Sequence, residues 1–141
     1  MTSEEHQRAE QAAAAIAALQ EVQRGFFHSI EGRAGATHAL GTLRVAGGIV
    51  SCTCLEVPLE VHGHPVGDGT GVYSMEYAFR AERLGERVLV ACLYLDANGN
   101  LYTDAALTTR LCDCRNPRVA QEILVMLSQA LLRSTLFRPA A

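Results

Sequence analysis

Hydrophobic periodicity changes twice along the chain, and this limits the folds open to it. From the start to about residue 30 apolar residues recur at helical spacing. From Leu40 to Cys114 they alternate with polar ones among Gly, Asn and Asp, and from Val119 onward the helical spacing returns. A helix, a run of strands joined by short turns, and a closing helix make an α+β chain with its helices segregated against an antiparallel sheet. At 141 residues, with no repeat or low-complexity linker, one domain spanning 1–141 is expected.

Thr2 followed by Glu5 is a capping-box pattern. It predicts a helix over 3–29 whose stripe is Ala9, Ala12, Ala13, Ile16, Leu19, Gln23, Phe26, Phe27 and Ile30, with Gly32, Gly35 and Gly41 ending it. The small residues suit close approach to another backbone, and the phenylalanines suit a core. Five strands are expected: 43–46, 49–61, and a three-strand meander turned at Leu84-Gly85 and Asn98-Gly99. Pro58 belongs at an edge or bulge because it cannot donate a ladder hydrogen bond. Two-residue turns would set Tyr77 opposite Cys92, Phe79 opposite Val90, and Val90 opposite Leu107. The second sheet face would then carry Val72, Ala78, Leu89, Ala91, Leu93, Leu95 and Tyr102, too apolar to be left in water. Either each helix covers one face, or both share a face and a second subunit covers the other. Homodimerisation is the expected closure. Asn116-Pro117 is read as the N-cap and first position of the closing helix.

Composition removes several functions. All twelve basic residues are Arg, so Walker-type phosphate loops, Schiff-base chemistry and kinase chemistry lack their lysine. A formal charge of −3 with dispersed arginines is not the footprint of a nucleic-acid binder. No apolar run approaches the ~18 residues of a membrane span. An acidic opening segment lacks a secretory n-region, which predicts a cytoplasmic address and reduced thiols for the five cysteines.

Four groups of residues invite chemistry. Cys52, Cys54, Cys112 and Cys114 form two C-x-C pairs that could hold zinc in a tetrahedron, although three strand intervals of about 4.8 Å would separate them in a simple meander. His62 and His64, two residues apart before the Gly67–Gly71 loop, could ligate a metal from a strand end; the plainer reading is a flexible hairpin connection. Arg110, Arg115 and Arg118 cluster at the start of the closing helix, where free N–H groups favour an anion. Glu56, Glu60 and Glu76 could act as acid or base from the outer sheet face, but no nucleophile elbow accompanies them and no catalytic residue or cofactor is assigned.

The stretch 72–111, with turns at Gly85-Glu86-Arg87 and Asp96-Ala97-Asn98-Gly99-Asn100, resembles the closing meander of hot-dog-fold thioesterases and acyl-binding proteins. That resemblance implies an acyl or other hydrophobic ligand. A pocket for it would lie between sheet and helix, lined by Tyr73, Met75, Tyr77, Phe79 and Phe27. The helix after the sheet departs from that pattern. The leading expectation is a non-enzymatic cytoplasmic homodimer that binds another protein as adaptor, inhibitor or chaperone-like accessory, contacting neither nucleic acid nor membrane. Hydrophobic-ligand binding and zinc binding are the alternatives. A ligand binder needs a cavity of several hundred Å³, whereas an interaction module needs a solid core and an uncovered apolar face.

Overall fold

The computed structural model describes residues 2–31 and 39–137. The order is α1 (Ser3–Glu31), β1 (Gly41–Ala46), β2 (Ile49–Cys54), β3 (Val57–Gly67), β4 (Tyr73–Arg83), β5 (Glu86–Leu95), β6 (Asn100–Tyr102), β7 (Arg110–Asp113) and α2 (Val119–Arg133), closed by a short 3-10 turn at Thr135–Phe137. All seven strands pair antiparallel in one meander sheet, in chain order. The α+β class and both helices are as the periodicity predicts; the sheet has seven strands, not five. Among the described residues, no helix is long and apolar enough to cross a membrane.

The capping box at the start of α1 forms reciprocally. Glu5 N donates to Thr2 Oγ1 at 3.1 Å, and Thr2 N donates to Glu5 Oε2 at 3.0 Å. Only Leu19, Phe26 and Ile30 of α1 are buried. Ala9 and Ala13 are exposed, so the expected close approach along the alanine stripe is absent over the first turns. The expected terminators Gly32 and Gly35 lie outside the described residues, and Gly41 opens β1.

The expected strand over 49–61 is broken at Leu55-Glu56, where both residues take left-handed backbone angles, φ 48° and 66°, and Cys54 faces Val57 across the turn. A turn of this hand ordinarily recruits Gly or Asn, so the sequence carries no signal for it. The turn is held from outside: Leu55 N donates to the Leu40 carbonyl at 2.7 Å. Beyond it β3 runs on to Gly67 and includes both histidines. Pro58 faces Thr53 of β2, while pairing of β3 with β4 begins only at Glu60, so the proline has one strand neighbour, as its missing N–H requires. Gly63 and Gly67 lie opposite Tyr77 and Tyr73, whose rings cover them; a Cβ at Gly63 would come within 2.9 Å of the Tyr77 ring.

The Leu84-Gly85 turn closes β4 on β5 as expected, with Arg83 opposite Glu86. A bulge then changes the register. Phe79 faces Ala91 and Arg80 faces Leu89, which leaves Val90 as the extra residue. Tyr77 therefore faces Leu93, not Cys92, and Ala78 faces Cys92. Leu93 and Leu95 belong to the core face, and Cys92 and Tyr94 to the other; one inserted residue reverses the assignments beyond it on β5, while Tyr102, opposite Tyr94, stays on the outer face as expected. Val90 does not face Leu107, because residues 103–109 form a loop between the short strands β6 and β7.

One hydrophobic cluster joins Leu19, Phe26 and Ile30 of α1, Val119, Ile123, Leu124, Leu127 and Leu131 of α2, and the inner face of the sheet. α1 touches β1 and β4; α2 touches β1, β2, β5 and β7 and so ties both edges of the sheet. Both helices lie on the same face. Among the described residues, no helix covers the other. α2 also starts later than expected, at Val119 with Arg118 as its cap residue, and Asn116 Oδ1 accepts from Arg118 N at 2.8 Å in a turn before the helix.

Candidate functional site

The outer face of the sheet is built by strand alternation. Register places His62, Ala78 and Cys92 in one cross-strand row, and His64, Glu76, Tyr94 and Tyr102 in the next. Polar contacts run across the second row, along β3 and between β3 and β5. His64 Nε2 lies 3.5 Å from Glu76 Oε1, His62 Nε2 lies 3.6 Å from Glu60 Oε2, and Arg87 Nε approaches the same Glu60 oxygen at 3.4 Å. The Tyr94 side chain is 8% exposed, and burial first, then its hydrogen bond to Glu76, raises its phenol above the ordinary range. Burial, reinforced by Glu76, likewise raises the Cys92 thiol, so it is not an activated nucleophile. Tyr102 donates its hydroxyl to Asp96 Oδ2 at 3.0 Å.

The loop between β6 and β7 folds toward this face. Asp104 anchors it by accepting from Thr108 N at 3.0 Å and Thr109 N at 2.8 Å, and Leu107 is held at φ 58°. Beneath the loop is a cleft of about 210 Å³, with Ser74, Glu76 and Tyr94 as its polar residues and Val66, Val72 and Leu107 among its apolar ones. Asp68 stands at its end, its Oδ1 accepting from Thr70 N at 2.8 Å and Thr70 Oγ1 at 2.7 Å. The Gly67–Gly71 segment is thus an ordered hairpin turn rather than a loose connection.

The residues expected to line a ligand pocket lie in the core. Tyr77 donates its hydroxyl to Gln23 Oε1 at 2.7 Å, and its ring meets Phe26 at 5.8 Å and Phe27 at 6.0 Å. The gap bounded by Phe27, Tyr77 and Phe79 is about 10 Å³, less than one water needs. Met75 is buried, and Tyr73 lies half-buried beside α1.

Cys52, Cys54, Cys112 and Cys114 are all buried on the inner face, but five strand intervals separate β2 from β7 in the sheet order. Burial pushes Cys52 up to about 12 and Cys112 up to about 11, opposite to what a thiolate ligand needs. Cys54 Sγ donates to the Leu124 carbonyl at 3.6 Å. Among the described residues, no three His, Cys, Asp or Glu side chains form a metal-holding group, and His62 and His64 are exposed. The arginines are separately engaged: Arg110 Nε donates to Asn100 Oδ1 at 2.9 Å, and Arg115 grips Asp113 at 2.8 and 2.9 Å. Arg118 caps α2 by backbone alone. The hydrogen bonds from Arg115 hold Asp113 down at about 2.

Sequence reasoning missed Ser74 and Tyr94. Alternation along β4 could place Ser74 beside Glu76, but β5 is apolar on both faces, so nothing in its pattern places Tyr94 there. Comparison of the chain with protein-family models, curated proteins and solved structures finds no match.

Proposed function

We propose that the protein is a non-catalytic, cytoplasmic binding module that self-associates through the outer face of its sheet. The observation that carries this reading is the placement of both helices on one face while the opposite face keeps Val72 and Leu89 at 51% and 53% exposure. Charges of both signs flank Leu89: Glu60 pairs with Arg87, and Arg80 sits beside Leu89 in the register. A surface carrying both signs can meet its own copy across a twofold axis with opposite charges in register. Five free thiols suit a reducing compartment. The acyl-binding alternative requires an internal cavity, and the 10 Å³ gap in the core argues against it.

Native mass spectrometry and light scattering on the intact chain test the proposal. The wild type is expected to be a dimer at micromolar concentration, and Leu89→Glu a monomer with unchanged far-ultraviolet circular dichroism, since Leu89 contributes little to the core. A monomeric wild type, or a dimer indifferent to Leu89→Glu, overturns it.

A further inference from the structure

We draw no further inference here: the strongest candidate, the edge of β5 from Glu86 to Leu93 that β6 leaves unpaired among the described residues, carries nothing, because nothing in the structure shows whether a strand of a second copy or of another protein covers it.

Discussion

A thiol that ionises inside an apolar cluster must hold a charge away from water, and this governs the chemistry of the inner face. Cys52 and Cys112 ionise at about 12 and about 11 in the folded protein, against an ordinary 9.0, with burial as the main cause. Above pH 9 the unfolded chain releases these protons while the folded chain keeps them. Folding stability therefore falls as pH rises from 9 toward 12, by up to about 1.4 kcal/mol per pH unit for each thiol. Urea denaturation at pH 8, 9, 10 and 10.5 should show this decline, and Cys52→Ala should make it shallower. A flat profile, or equal steepness in the variant, would remove the thiols as its source. The paired cysteines are conspicuous as a possible zinc site, and alternation does place each pair on one face. What the sequence could not supply is the number of strands between them, because the turn at Leu55-Glu56 carries no turn-forming residue and the 103–109 loop, without Gly or Pro, divides the last expected strand into β6 and β7.

Among the elements, hairpin geometry decides which face each side chain meets. Leu84-Gly85 marks its turn legibly and the capping box marks the start of α1, whereas Asn98-Gly99 lies in the β5–β6 turn without being the expected two-residue turn, since Leu95 faces Leu101 and not Tyr102. The bulge at Val90 has no such mark: Val88 to Leu95 is apolar throughout, so shifting it by one residue leaves the pattern unchanged while exchanging Leu93 for Cys92 at the core. The outer-face cleft was hidden for the same reason, since Tyr94 reaches it only through the bulge. The Leu84-Gly85 turn also carries correctable strain. Leu84 sits at φ 54° with 95% of its surface exposed, so it meets a backbone cost without compensating burial. Asn tolerates that conformation and is preferred before Gly in such turns. Leu84→Asn is therefore expected to stabilise the protein by about 0.5–1 kcal/mol. A lower urea midpoint in the variant would contradict the assigned turn.

At the scale of the whole molecule, cooperativity rests on how α2 is used. α1 contributes three buried side chains near its end, whereas α2 contributes six buried residues and touches strands at both sides of the sheet. Leu127 has no exposed surface and sits within the cluster that unites both helices with the inner face. Truncating it removes packing that no single hairpin can recover alone, so Leu127→Ala should cost about 2–5 kcal/mol. Because α1, the sheet and α2 share this cluster, the loss should lower thermal unfolding followed by far-ultraviolet circular dichroism and by tyrosine fluorescence to the same midpoint. Coincident transitions in wild type and variant are what a single cooperative unit requires. If the helical signal melts first in Leu127→Ala while tyrosine fluorescence keeps its wild-type midpoint, α2 is an appendage rather than the tie between the sheet's edges.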